Sequence, residues 1–284
     1  MSNTSSEYQF IDAGAGRKLE RFGEYLLDRP CAQAVWRPQL APEQWRRAQG
    51  FFTREGGSRW EIRAPRMREG WQCTLDGIKF NLRPTDFGHV GIFPEHIRSW
   101  RLCSEAIRNC GRDASQLDIL NLFAYSGGAT LAMARLGCKV CHLDASKKMV
   151  EWARDNARIN HLEEAPIRWI IDDVQKFLKR EIRRGHKYDG VILDPPSFGR
   201  GTNQELFQID SNMLELLALC RQVLTDKPLF MMLTCHTPGY TPLVLEHLVA
   251  QSMNGGKCTT GEMTLPAEAP QMAVPSGAYA FWQS

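Results

Sequence analysis

The spacing of apolar positions changes near residue 115. Before that point, short apolar runs (Trp60–Ile62, Trp71–Leu75 and Ile78–Leu82) lie between the turn signals Glu69-Gly70 and Asp76-Gly77. Runs of that length punctuated by Gly predict short strands or a hairpin. The segment Pro94–Cys110 carries Ile97, Trp100, Leu102, Ala106 and Ile107 at helical spacing, and Cys110-Gly111 ends it. After Ser115 strands and helices alternate. Leu117–Ala124 is a nearly continuous apolar run, the pattern of a strand buried on both faces. Tyr125-Ser126-Gly127-Gly128 is a turn, Ala129–Leu136 a helix, and Gly137 its stop. Strands are predicted at Lys139–Leu143, Ile167–Ile171, Tyr188–Leu193 and Leu229–Thr234, with helices at Ser146–Asn160, Val174–Arg184, Met213–Leu224 and Thr241–Ser252. Weaker strands follow at 257–265 and 276–282.

This β-α-β-α order predicts an α/β fold with a parallel, doubly wound, Rossmann-like sheet and right-handed crossovers. A smaller, β-rich (α+β) region precedes it. The expected divisions are 1–77, a connecting segment and helix at 78–115, and a main domain at 116–284.

Composition narrows the class. The 284 residues, 43% apolar and 24% charged, suit one large or two small globular domains and exclude a mainly disordered chain. No window approaches the roughly 18 uninterrupted apolar residues of a membrane helix. The first twenty residues hold no apolar core of a secretory signal, so a cytoplasmic protein without a membrane partner is expected. Nine scattered Cys, with no C-x-x-C pair and no Cys/His cluster at zinc spacing, predict reduced thiols and no metal site.

The net charge of +3 is uninformative, but its distribution is less so. Residues 36–83 hold 10 basic against 5 acidic residues, together with Trp36, Trp45, Trp60 and Trp71. Two readings stand. Arg interleaved with aromatics suits nucleic acid, guanidinium on phosphate and ring on base. Alternatively, Trp fills a small core and Arg covers its solvated face.

In open α/β sheets, ligands bind at the carboxyl ends of the strands. Here the first strand ends in a Gly turn, the second in Asp144, the third in Asp172-Asp173 and the fourth in Asp194-Pro195-Pro196. Gly127 and Gly128 permit close backbone approach, and the following helix start offers N–H groups to an anion. A carboxylate after the second strand suits both hydroxyls of a ribose, and one after the third an adenine amine. Together they describe a site for an adenosine carrying a small anionic group. The turn Phe123–Thr130 lacks the G-x-G-x-x-G spacing of nicotinamide and flavin sites and the Lys-Ser/Thr of a P-loop. S-adenosylmethionine, with a carboxylate in place of a pyrophosphate, fits this looser turn. Asp194-Pro195-Pro196-Ser197-Phe198 is a stiff loop ending in an aromatic, suited to holding a planar base.

These segments resemble the class I S-adenosylmethionine-dependent methyltransferases. The likeness rests on Leu120–Gly128, Asp144-Ala145-Ser146, the helix Glu151–Asn160, Asp172-Asp173-Val174 and Leu193–Phe198, and it extends to Gly91–His96. Within that family the chain is most similar to the bacterial 23S ribosomal RNA methyltransferases of the 5-methylcytosine and N7-methylguanosine type. The resemblance implies that Phe123, Tyr125, Gly127 and Gly128 surround the methionine moiety, with Phe93 near the cofactor. It implies that Asp144, with Ala145 and Ser146, holds the ribose, and that Asp173, beside Asp172, holds the adenine. Asp194, Pro195, Pro196 and Phe198 would meet the acceptor base where the cofactor's methyl group faces it, so that Asp194 counts among the cofactor-binding residues too, with RNA as partner, and transfer would proceed without metal.

Two departures matter. The RNA-binding module frequent in that group is not recognisable in 1–77. The 5-methylcytosine members carry a nucleophilic Cys after the fifth strand, and here Thr234-Cys235-His236 stands at about that position. Cys235 is therefore a candidate nucleophile, with a buried structural Cys as the alternative. A protein or small-molecule acceptor, or a nucleotide-dependent oxidoreductase on the same topology, are the competing functions.

Overall fold

The structure is a computed structural model that describes residues 6–200, 206–267 and 272–284. The chain divides into two compact units, Met1–Glu95 with Thr264–Ser276 and His96–Met263 with Gly277–Ser284. The sequence divisions at 77/78 and 115/116 fall elsewhere. Asp76-Gly77 is the turn of a hairpin, and the helix after residue 96 belongs to the second unit. Turn residues punctuate hairpins as strongly as linkers, so local signals do not report which core a segment joins.

The first unit is β-rich. Strands β1 (Tyr8–Gly14), β2 (Arg17–Phe22) and β3 (Tyr25–Pro30) form an antiparallel meander. The first connection is Ala15-Gly16, both at positive φ, the geometry of a two-residue turn that matches strand twist. A short helix, α1 (Pro42–Trp45), leads to β4 (Gly50–Thr53) and β5 (Arg59–Ile62), which extend the sheet in the order β1-β2-β3-β4-β5. The hairpin β6 (Trp71–Leu75) and β7 (Ile78–Leu82) follows, with the bounds expected from the sequence.

Three of the four Trp use their indole N–H internally. Trp45 donates to Asp12 Oδ2 (3.1 Å), Trp60 to the Thr85 carbonyl (2.8 Å) and Trp71 to the Phe22 carbonyl (2.9 Å). Arg37, Arg46, Arg47, Arg54, Arg66 and Arg68 are exposed. Trp71 is buried and Trp45 and Trp60 are half-buried, while the guanidinium groups lie on the solvated face.

The second unit opens with α2 (Ile97–Asn109) and alternates through β8 (Asp118–Leu122), α3 (Gly128–Ala134), β9 (Lys139–Asp144), α4 (Lys147–Ile159), β10 (Ile167–Ile171), α5 (Val174–Arg184) and β11 (Gly190–Leu193). A small hairpin, β12 (Phe198–Arg200) and β13 (Leu206–Gln208), precedes α6 (Ile209–Val223), β14 (Phe230–Cys235), α7 (Pro242–Ser252), β15 (Lys257–Thr264) and β16 (Pro275–Gln283). The seven-stranded sheet runs β10-β9-β8-β11-β14-β16-β15. Strands β10, β9, β8, β11 and β14 are parallel, and β16 returns antiparallel to β14.

Alternate residues of each strand enter different cores. Leu120, Leu122, Val191, Leu193 and Leu233 pack with Phe177, Leu178, Leu216 and Leu245 of α5, α6 and α7. Ile119, Val140, Ile192 and Met232 pack with Cys103, Ile107 and Met133 of α2 and α3. Both faces are covered, which is why these strands read as continuous apolar runs.

One polar chain crosses this interior. Asn121 Nδ2 donates to Thr130 Oγ1 (2.9 Å), which meets His142 Nδ1 (2.9 Å). His142 is fully buried, and burial holds its pKa down at about 3. The unfolded chain therefore binds a proton that the folded chain refuses between about pH 6.5 and 3. Stability is complete above that window and falls as pH drops through it, by about 1.4 kcal/mol per unit from this group. Urea unfolding at pH 6.5 and 4.5 should show the loss, and His142→Asn should reduce it by roughly 2 kcal/mol. An unchanged pH slope in the variant would remove His142 as its source.

Candidate active site

The polar strand ends fall in register. β10, β9, β8 and β11 are parallel and stand side by side in that order, so their carboxyl ends open on one edge of the sheet. The loop after β8 is strained: Phe123 (φ 55°) and Tyr125 (φ 49°) lie in the left-handed region, followed by Gly127 (φ 93°). Left-handed aromatics cost free energy of order 1–3 kcal/mol each, and such strain collects at functional sites. Sequence gave no sign of it, because neither residue type announces a positive φ. The Phe123 ring packs at 5.4 Å from Phe207, and Tyr125 at 6.1 Å from Trp152.

Asp144, at the end of β9, fixes this loop. One oxygen accepts the Tyr125 N–H (2.9 Å) and the other the Ser146 N–H (2.8 Å). Burial pushes the Asp144 carboxyl up, and the two N–H groups offset only part of that. Ala145 and Ser146 are half-buried in the turn before α4.

Gly127 and Gly128 also serve packing. A Cβ on Gly128 would come 2.3 Å from the Trp100 ring, and one on Gly127 3.0 Å from the Ala153 Cβ. Their smallness lets α2 and α4 close on the turn, and only the positive φ of Gly127 belongs to the loop itself.

The two carboxylates after β10 have separate tasks. Asp172 Oδ2 pairs with Arg180, and its Oδ1 accepts the Asp173 N–H (2.8 Å). Asp173 caps α5, with Oδ1 accepting the Lys176 N–H (2.9 Å). Phe93 belongs to the first unit, where its ring meets His89 edge-on at 4.9 Å.

Asp194 follows β11. Its Oδ1 accepts the Thr234 hydroxyl (2.7 Å) from β14, the neighbouring strand. Its Oδ2 lies 3.5 Å from His96 Nε2 and 3.7 Å from His236 Nε2, and the two imidazole nitrogens are 3.2 Å apart. Burial would raise the Asp194 carboxyl, but His236, His96 and the Thr234 hydroxyl outweigh it and hold it well below the usual carboxylate range. Pro195 is buried, Pro196 exposed, and the Phe198 ring is 54% exposed. Ser197 Oγ meets Thr237 Oγ1 at 2.7 Å.

Cys235 is placed differently from its expected role. It is fully buried in the core beneath the β11 and β14 strand ends, and burial pushes its thiol up. A reactive thiol needs exposure and a lowered pKa. Neighbouring residues on a strand point to opposite faces, so His236 reaches Asp194 while Cys235 enters the core. His96 and His236 meet although 140 residues separate them, a contact that no local sequence pattern signals.

A family model described as S-adenosylmethionine-dependent methyltransferase matches residues 26–230. The crystal structure of a SAM-dependent methyltransferase from Agrobacterium tumefaciens is similar with a TM-score of 0.92 and 37% identity, covering 99% of this chain and 92% of that one. A putative SAM-dependent methyltransferase from Streptococcus mutans shares the fold at a TM-score of 0.74 and 18% identity, over 100% of this chain and 76% of that one. Ribosomal RNA large subunit methyltransferase K/L of Syntrophotalea carbinolica is 30% identical over 60% of this chain and 23% of its own length. Ribosomal RNA large subunit methyltransferase I of Salmonella arizonae is 36% identical over 30% of this chain and 22% of its own length. The chain thus matches about a fifth of the length of these curated relatives. Among the described residues, no helix is long and apolar enough to cross a membrane.

Proposed function

Because this chain belongs to the S-adenosylmethionine-dependent methyltransferase family, we propose that it transfers the methyl group of S-adenosylmethionine to a base in ribosomal or other structured RNA. The observation that carries the cofactor half is the set of carboxylates after β9, β10 and β11. The residues present fit that cofactor. The Asp144 oxygens each accept one backbone N–H, and a carboxylate has about four acceptor sites, so capacity remains on both for two vicinal hydroxyls. Asp173 Oδ1 is engaged at the helix cap, and its second oxygen suits an amine. Asp172, tied to Arg180, holds the turn in place.

The bound cofactor supplies an electrophilic methyl on a sulfonium. This chain's residues supply orientation. The strained Phe123–Gly127 loop would seat the methionine end. The stiff Asp194-Pro195-Pro196-Ser197-Phe198 loop would present the acceptor, with the exposed Phe198 ring available for stacking. Holding both reactants at about 3–3.5 Å accounts for much of such a catalyst's effect. Cys235 has no part in this reading.

The RNA half is supported by the names of the relatives and by the exposed Arg groups of the first unit. With three of its Trp tied internally through their indole N–H groups, that unit would grip phosphate rather than stack on bases, and its RNA affinity should fall steeply with salt. The test is transfer of labelled methyl to total RNA from a strain lacking the gene, compared with RNA from its parent. Label entering only the deletion-strain RNA supports the proposal. Label in neither, with cofactor binding confirmed by calorimetry, overturns the RNA acceptor.

Replacing Asp144 with Ala should weaken S-adenosylmethionine binding at least about tenfold, since hydrogen bonds to a charged group contribute about 1.5–3 kcal/mol each. Calorimetric titration of the variant with S-adenosylmethionine measures it. Affinity within threefold of the parent would remove Asp144 from the site.

A further inference from the structure

We propose that His96, Asp194 and His236 bind one divalent cation of the zinc class, at a site that the sequence reading did not include. His96 sits immediately before α2, Asp194 after β11 and His236 after β14. These three residues form a group whose ligand atoms converge within 4.8 Å. The separations, 3.2, 3.5 and 3.7 Å, define a triangle. The circle through its corners has a radius of about 2.0 Å, and Zn–N and Zn–O bonds are about 2.0–2.2 Å long. An ion at bonding distance from all three therefore lies slightly out of their plane. That is one face of a tetrahedron, whose edges are about 3.4 Å for such bonds.

The donor chemistry agrees. Two imidazole nitrogens and one carboxylate oxygen suit zinc and its first-row neighbours, whereas calcium and magnesium prefer all-oxygen shells. Two imidazole nitrogens, each offering one lone pair when unprotonated, and one carboxylate oxygen converge here, and a cation or bridging protons would hold them together. The carboxylate is also oriented from behind. Thr234 donates to Asp194 Oδ1, leaving Oδ2 as the atom facing the imidazoles, the second-sphere arrangement found around metal-bound carboxylates. Pro195 and Pro196 stiffen the chain directly after the ligand.

Among the described residues, no fourth His, Cys, Asp or Glu joins the group. Three protein ligands with an open position is the pattern of reactive zinc sites, and the open position takes water or an oxygen or nitrogen of a bound molecule. Binding of the ion stands on these three side chains alone. Its use in methyl transfer would rest on the function proposed above.

The test uses the full chain, untagged, stripped with a chelator and dialysed. Zinc binding is measured by metal analysis and by competition with a chromophoric chelator. Cobalt(II) substitution adds a visible spectrum diagnostic of four- or five-coordination. One zinc per chain is expected, with affinity reduced at least about 100-fold in His96→Ala and His236→Ala and about 10–100-fold in Thr234→Val. His247→Ala, at an exposed position on α7, should bind as the parent does. Thermal melts of the metal-free proteins identify any variant that fails to fold, and Thr234→Val keeps the comparison available if a His variant does.

Absence of stoichiometric zinc, or full affinity in both His variants, overturns the site in favour of a proton-bridged triad. Calorimetry with S-adenosylmethionine on the zinc-free parent separates this result from the proposed function. Cofactor binding there with no zinc site would retire the metal alone. Zinc binding without cofactor binding would retire the cofactor reading and leave the metal standing.

Discussion

Methyl transfer should fall at least about 10²–10³-fold when Asp194 is replaced by Ala, while S-adenosylmethionine affinity changes less than threefold. The separation of effects follows from the sheet. Asp194 follows β11 and Asp144 follows β9, with β8 between them. Adjacent strands are about 4.8 Å apart, so the two strand ends are separated by about 10 Å, and in the function proposed above one would serve the acceptor side and the other the cofactor. Asp194 also anchors three neighbours, Thr234, His96 and His236, so removing it disperses the whole group. Asp194→Asn retains the shape and a hydrogen bond to Thr234 but not the charge. It should lose nearly as much activity, which assigns the effect to the carboxylate rather than to packing. Single-turnover transfer from labelled cofactor, paired with calorimetry, measures both quantities. Undiminished turnover in either variant would refute the role given to this loop.

The largest stability effect is expected in the first unit. Glu20 is fully buried on β2, where Arg29 of β3 donates to its Oε2 through Nε (3.1 Å) and Nη2 (2.6 Å). Lys18 lies 3.3 Å from Oε1, and the Tyr8 hydroxyl donates to that oxygen at 3.0 Å. Burial alone would raise the Glu20 carboxyl, but Arg29 and Lys18 overcome it and hold it below its ordinary value. Arg29 also donates to the Gly88 carbonyl (3.2 Å), tying the segment after β7 to the sheet.

Arg29→Ala strands a buried carboxylate and should cost about 3–5 kcal/mol, read as a lower urea midpoint. The double variant Glu20→Leu, Arg29→Met should recover most of it, because matched apolar groups remove both desolvation costs. A loss below about 1 kcal/mol in the single variant would show that Lys18 suffices. The pH sign is also defined. Because the folded carboxyl is depressed, its contribution is present above the ordinary value of 4.5 and fades as pH falls below it. The double variant should lack that acid sensitivity.

Much of the second unit was legible because its signals are local. The bounds of β10 at Ile167–Ile171 coincide with the pattern, as do those of the first unit's hairpin at Trp71–Leu75 and Ile78–Leu82, and the remaining strands of the seven-stranded sheet lie within two or three residues of it. A strand buried on both faces must be apolar throughout, and its polar terminus marks where it leaves the core. The meander of β1 to β3 was less legible. Its strands carry Arg17, Lys18, Glu20, Asp28 and Arg29, whose charges pair with one another across β2 and β3 or, for Lys18 and Glu20, along β2, and so break the alternation a half-buried strand should show.

By itself, the sequence determined the α/β class, the order of strands and helices, and the carboxylates at three strand ends, because periodicity and chain termination are properties of neighbouring residues. It could not decide what those residues meet. That Gly128 makes room for Trp100, that Cys235 enters the core while His236 leaves it, and that His96 comes to lie 3.2 Å from His236 all depend on which elements pack together. Metal-ligand spacing is recognisable in sequence only when the ligands share one turn or one helix. Here they sit on three segments, and only the folding of the sheet brings their lone pairs to one point.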